Sequence, residues 1–374
     1  MSDLTACFAF LNEADRLKSV DRANVLMDCS RPENSAEHSW HVALHALVFG
    51  GSDRAIAMIL LHDLVEIDVG DHPIHLPYDL PAVAAAEAAA ARRLFGLLPE
   101  GGGLLDLWLE FEAAETPDAR FAKRMDHVQP LFQVLSSPRP RADHLAVVRD
   151  NMAQGRVARL RREWPEAMAA ADAMLAGRAV SGALAGPLAF LAEADRLKSV
   201  YRASTLCDAS RRENSAEHSW HLALYALILH GAAVPGVDLG RVIRMLILHD
   251  LVEIDTGDVP IHSANGAAHH GAAQMAAEDA AADRLFGLLP APLGRDLRAL
   301  WAEFEANETP DAIFAKSLDR AQPVMQNIAS GGGTWIEYEV SYAQLVERVG
   351  TRIARGAPAL WTWLDGRAQG CFAR

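Results

Sequence analysis

The sequence predicts an all-α protein made of two tandem copies of one helical bundle, 1–178 and 179–374. Two observations carry that prediction. The first is a long internal repeat: Glu13 through Val20 recurs as Glu193 through Val200, and Glu33 through His41 recurs as Glu213 through His221, both at an offset of 180. This period far exceeds a solenoid unit, so a whole domain is duplicated. The second is apolar spacing that fits helices throughout, with no alternating strand pattern.

Taken in order, Ser35 to Val48 reads as a helix with Ser35 as N-cap and Glu37 in its first turn. Gly50-Gly51-Ser52-Asp53 breaks the chain. The apolar run Ala55 to Leu61 then passes into His62-Asp63-Leu64-Val65-Glu66 without Gly or Pro, which predicts one buried helix with His62 and Glu66 on a shared face. Gly70-Asp71-His72-Pro73 starts a loop. The alanine-rich stretch from Val83 to Leu98 is a strong helix former closed by Pro99. Thr116-Pro117 supplies a cap and a first-position proline for a helix carrying Lys123 and Asp126. The second copy repeats these signs. Its His249-Asp250 pair is displaced by 187 rather than 180 because of an insertion around His230–Gly236, and the join falls at Ala176–Gly182.

A formal charge of −14 argues against a nucleic-acid polymer as partner, while leaving room for a small phosphorylated metabolite. Four scattered cysteines without CxxC spacing fit free thiols in a reducing cytosol. The first residues lack a signal-peptide layout, and no apolar stretch reaches membrane-spanning length. The expectation is a cytoplasmic protein without membrane contact.

The chemistry concentrates at His62-Asp63-Glu66 and at His249-Asp250-Glu253. Ionisable groups at the end of an apolar run are costly unless compensated. A buried ion-pair network is the plain reading, but the apolar run supplies no cation, so a divalent metal is favoured. Imidazole beside carboxylate suits a borderline or hard ion, and Mn, Co, Zn, Fe, Ni and Mg all remain open. His38 and Asp126 lie too far away for spacing alone to join them to this pair.

The order His, His-Asp, distant Asp resembles the HD-domain metal-dependent phosphohydrolases. Finer signs are similar to their 5′-deoxynucleotidase branch: Arg-Pro-Glu-Asn-Ser-Ala-Glu-His at 31–38, His-Asp-Leu-Val-Glu at 62–66, Gly-Asp at 70–71, and Lys123 three residues before Asp126. The second copy has Arg-Arg-Glu-Asn-Ser-Ala-Glu-His at 211–218 and the later signs too. The resemblance implies one metal per copy, held by His38, His62, Asp63 and Asp126 and by His218, His249, Asp250 and Asp319. It implies that Glu66 and Glu253 orient or deprotonate the attacking water. Arg22 and Arg202 would hold phosphate, and Asp71 and Asp258 a sugar hydroxyl. The implied reaction removes phosphate from a phosphomonoester, foremost a nucleoside 5′-monophosphate. Since single-domain relatives pair, the copies are expected to form an intrachain pseudo-dimer.

Two features depart from the family. Ala23 and Ala203 follow the arginines where the deoxynucleotidases carry a bulky aromatic residue. The first copy also has Ser136-Ser137-Pro138-Arg139-Pro140 where the second has Gly331-Gly332-Gly333-Thr334-Trp335, which makes the first site the one expected to be weaker.

Plainer roles are assigned elsewhere. Trp40 and Trp220 read as core. His41 and His221 read equally as support for a ligand or as a solvated helix face. A helix-surface salt bridge is as good a reading of Arg22 as phosphate binding. His75 and His262 read as loop structure before pocket lining. Two rival functions stay open. Metal-dependent oxygen chemistry would need further histidines before the last Asp, and only His262, His269 and His270 offer them in the second copy. A non-catalytic regulatory module would not need Glu66 and Glu253 in both copies.

Overall fold

The computed structural model describes residues 3–261 and 271–373. His262, His269 and His270 lie outside them. In the first copy α1 (Leu4–Ala14) leads through a 3-10 turn into a two-stranded antiparallel hairpin, β1 (Asp21–Val25) and β2 (Pro32–Asn34). Then follow α2 (Ser35–Val48), α3 (Asp53–Leu61), α4 (Glu66–Val69), α5 (Leu80–Phe95), α6 (Gly102–Ala113) and α7 (Pro117–Ser136). Three helices, α8 (Ala142–Gln154), α9 (Leu160–Glu163) and α10 (Pro165–Leu175), precede the second copy.

That copy repeats the order as α11 (Ala185–Ala194), β3 (Tyr201–Thr205), β4 (Arg212–Asn214), α12 (Ser215–Leu229), α13 (Leu239–Leu248), α14 (Glu253–Thr256), α15 (Ala272–Phe286), α16 (Ala291–Ala306) and α17 (Pro310–Ala329). It closes with α18 (Gly333–Glu337), α19 (Tyr342–Leu345), α20 (Thr351–Gly356) and α21 (Pro358–Phe372). The all-α reading holds, and no helix among the described residues is long and apolar enough to cross a membrane.

Three local expectations need correction. The hairpins were not visible as strands, because β2 and β4 have three residues each, too few to display a period of two. The N-cap of α2 is Asn34, not Ser35: its side chain accepts from Glu37 N–H, and Glu37 reaches back to Asn34 N–H. Finally, the predicted His-Asp helix is not continuous. It stops at Leu61, and His62 to Val65 form tight turns with bonds such as Glu66 N to Asp63 O at 2.9 Å. At the break His62 Nδ1 takes the freed carbonyl, donating to Ile59 O at 2.6 Å. A continuing α-helix would pair that carbonyl with Asp63 N–H. The second copy repeats the break, with His249 Nδ1 on Leu246 O at 2.8 Å.

The copies pack against each other through α2 and α12, which are buried along almost their whole lengths. Trp40 and Trp220 are core residues, fully buried. Each spends its indole N–H on the other copy, Trp40 on Ile247 O at 3.1 Å and Trp220 on Leu60 O at 3.2 Å. Asn34 and Asn214 donate crosswise to Glu217 and Glu37, both at 2.6 Å. Burial, with Glu217 close by, pushes the Glu37 carboxyl up to about 7, although Arg31 opposes the shift.

Candidate metal centres

Three elements converge in each copy. The second turn of α2 supplies His38, the turn after α3 supplies His62 and Asp63, and the middle of α7 supplies Asp126. His38 Nε2 lies 3.1 Å from Asp126 Oδ1 and 3.8 Å from Asp63 Oδ2. His62 Nε2 lies 3.1 Å from Asp63 Oδ1 and 3.7 Å from Asp126 Oδ1. In the second copy His218 Nε2 lies 3.2 Å from Asp319 Oδ1 and 4.0 Å from Asp250 Oδ2, with His249 Nε2 3.0 Å from Asp250 Oδ1. All eight expected ligands are therefore gathered, four by four.

The tautomers suit a cation. His38 Nδ1 pairs with Gln129 Oε1 at 2.9 Å, and His62 Nδ1 with Ile59 O. A carbonyl oxygen accepts only, so both rings donate from Nδ1 and turn Nε2 to the centre. Among the described residues His62 Nε2 and His249 Nε2 are buried without a hydrogen-bond partner, a costly state that a bound ion removes. Two imidazole nitrogens and two carboxylates therefore fit a divalent cation. Burial and Arg22 push His38 down, but Asp126, Glu33 and Asp63 outweigh them and raise it to about 9, so a cation binding at Nε2 displaces a proton there.

The remaining expected residues form the flank of each centre. Arg22, on β1, donates to Asp63 Oδ2 at 2.7 Å and Glu66 Oε1 at 3.2 Å, with Asp71 Oδ1 3.7 Å away. It is a largely buried strand residue, which rules out the helix-surface salt bridge. Arg202 repeats the pattern with Asp250 at 2.6 Å, Glu253 at 3.4 Å and Asp258 at 3.8 Å. Glu66 also accepts from Ser35 Oγ, and Glu253 from Ser215 Oγ at 2.5 Å. Burial and the neighbouring Asp63 push the Glu66 carboxyl up to about 8, and Glu253 is raised for the same reasons. Asp71 and Asp258 accept from the backbone N–H of Ala23 and Ala203, after the positive-φ turns at Gly70 and Gly257.

Sequence reasoning missed several participants. Ser35 and Ser215 brace the glutamates instead of capping helices. Gln129 and Gln322 hold the ligand histidines, the latter at 3.1 Å from His218 Nδ1. His41 and His221 are on no solvated face: both are fully buried and bond to the opposite copy, at Leu191 O and Leu11 O, each at 3.0 Å. All these residues lie inside or beside the repeated segments, so recurrence was the available signal. After the last ligand the copies differ: Arg320 lies 3.5 Å from Asp319, whereas His127 lies 3.9 Å from Asp126. His75 lines a cleft of about 310 Å³ with Ile74, Asp150 and Arg156, away from either centre.

The family model for the HD domain matches residues 14–168 and again 194–361. The chain belongs to the HD domain family. Each matched segment falls within one copy and contains one complete His, His-Asp, Asp set. Human 5′-deoxynucleotidase HDDC2 is 31% identical over 133 residues, covering 33% of this chain and 64% of that protein. A 5′-deoxynucleotidase of Vibrio cholerae serotype O1 is 36% identical over 106 residues, covering 24% of this chain and 54% of its own. The chain thus spans less than two thirds of the length of these curated relatives. A predicted metal-dependent phosphohydrolase from Magnetospirillum magnetotacticum MS-1 is a solved structure 43% identical in sequence, with a TM-score of 0.47, covering 50% of this chain and 95% of that one.

Proposed function

We propose that this HD-domain protein is a metal-dependent phosphohydrolase that removes phosphate from a phosphomonoester, foremost a nucleoside 5′-monophosphate. The observation that carries the reading is the pair of buried nitrogens, His62 Nε2 and His249 Nε2, without a hydrogen-bond partner among the described residues and each facing carboxylates beside a largely buried arginine. His38, His62, Asp63 and Asp126 would hold one divalent ion, and His218, His249, Asp250 and Asp319 a second. Such an ion supplies Lewis acidity toward a phosphoryl oxygen and makes water more acidic. Glu66 and Glu253, steadied by Ser35 and Ser215, accept the proton of the attacking water. Arg22 and Arg202 present guanidinium donors to the phosphate and offset its charge. Asp71 and Asp258 orient the sugar, and Ala23 and Ala203 put little bulk beside it, so ribose and deoxyribose are both accepted.

The reading divides the chain at 178/179 into two such units acting as an intrachain pseudo-dimer, with the first site the weaker. Free cysteines at 7, 29, 207 and 371 favour a cytoplasmic setting. The test is phosphate release from ribo- and deoxyribonucleoside monophosphates with several divalent metals, comparing the unsubstituted chain with Asp63→Asn, Asp250→Asn and the double variant. Release that survives one change but not both identifies the working site. No release from folded, metal-loaded protein rules the reading out.

A further inference from the structure

Lys18 and Lys198 are long cationic side chains with no exposed surface, and each crosses to the opposite copy. Lys198 Nζ donates to Glu33 Oε1 at 2.7 Å and to Gln133 Oε1 at 3.0 Å, both in the first copy, and pairs with its own Asp195 at 2.5 Å. It also lies 3.0 Å from His41 Nδ1. Lys18 Nζ lies 2.5 Å from Glu213 Oε1, 2.9 Å from His221 Nδ1 and 2.5 Å from its own Asp15. Asp15, Glu213 and His221 together have the spacing of a third cation site, and the lysine ammonium stands among them.

These networks end at the candidate ligands. Glu33 Oε1 also accepts from Gln129 Nε2 at 3.2 Å, and the other end of that amide accepts from His38 Nδ1. Glu33 Oε2 lies 3.7 Å from the same nitrogen. In the second copy Glu213 Oε1 accepts from Gln322 Nε2 at 2.9 Å, Gln322 Oε1 faces His218 Nδ1, and Glu213 Oε2 lies 3.3 Å from that nitrogen. The amide orientation matters. Because the lysine-paired carboxylate takes the NH₂ end, each glutamine turns its oxygen to the histidine and fixes the proton on Nδ1. Backbone contacts lock the arrangement: Asp195 accepts from Met27 N–H at 2.9 Å and Asp15 from Cys207 N–H at 2.8 Å, each across the interface.

We propose that each metal centre is completed by a positioning lysine from the other copy: Lys198 through Glu33 and Gln129 for His38, and Lys18 through Glu213 and Gln322 for His218. This rests on the metal reading above and adds that neither copy forms a fully competent site alone. Fusion of the copies then guarantees each centre its lysine.

The test measures cobalt(II) affinity, by titration of its visible absorption and by metal content, in the full chain. One background carries His62→Asn and Asp63→Asn, leaving site two; the other carries His249→Asn and Asp250→Asn, leaving site one. Lys18→Met is expected to weaken cobalt binding about 10–100-fold at site two and to leave site one within about threefold; Lys198→Met is expected to do the reverse. Lys18→Gln and Lys198→Gln, which remove the charge but keep a polar donor, give the same crossed readout if the methionine variants do not fold. Loss at the site of the same copy, equal loss at both, or no loss overturns the proposal, because a merely structural lysine has no reason to act crosswise. If neither background binds cobalt with its lysines intact, the metal reading itself fails.

Discussion

Arg202 Nη1 donates to Asp250 Oδ2 at 2.6 Å, so the cation proposed to hold phosphate is already bonded to a carboxylate proposed to hold the metal. Arg22 stands in the same relation to Asp63. An arginine so placed is oriented in advance, and its guanidinium remains charged under all working conditions. Arg202→Ala is expected to lower kcat/KM for a nucleoside monophosphate by about 10²–10³-fold at site two, the effect of one oriented donor on a developing negative charge. Steady-state kinetics in the site-one-silenced chain checks this, with metal content unchanged as the control.

Removal of ligands is expected to act site by site. Asp126→Asn and Asp319→Asn should each reduce bound divalent metal from two ions per chain to one, and the double variant to none. Chelation should abolish phosphate release and added metal should restore it. Elemental analysis read against activity checks both statements.

The glutamates should separate binding from turnover. Glu66→Gln and Glu253→Gln keep the size and the bond from serine but lose the proton acceptor. Together they are expected to lower kcat by about 10²–10⁴-fold with little change in metal content. Loss of metal in parallel would instead make the glutamates structural.

Acid should destabilise the fold through buried neutral histidines. Burial holds His45 down to about 3, although its bond to His41 O opposes this. A depressed folded pKa means that the unfolded chain takes up the proton first, near its ordinary value of about 6.5. The stability contributed by neutral His45 is full above that pH and declines by about 1.4 kcal/mol per pH unit on the way down to about 3. His45→Gln is expected to remove this increment. The slope of urea-unfolding free energy against pH, compared between the two proteins, checks it.

Breaking the interface should cost stability as well. Leaving Asp195 and Glu33 without Lys198 strands buried carboxylates, and Lys198→Met is expected to lower unfolding free energy by about 3–5 kcal/mol. Thermal and urea melts of the full chain read this directly.

The sequence by itself determined the helical class, the duplication and the recurring His62-Asp63 and His249-Asp250 pairs, because recurring motifs report identity however far apart the residues lie. His38 and Asp126 could be listed beside His62 and Asp63 only through family resemblance, since helix periodicity says nothing about which helices meet. Tertiary structure decided the rest. It stopped α3 at Leu61, where His62 turns back on Ile59 O, and so aimed its Nε2 at the carboxylates. It made a hairpin of segments too short to show a strand period, and that hairpin places Arg22. It also buried His41, His221, Lys18 and Lys198 between the copies. A lysine in a polar stretch reads as solvated until a second copy of the fold closes over it, and that closure depends on the packing of α2 on α12, which no local pattern encodes.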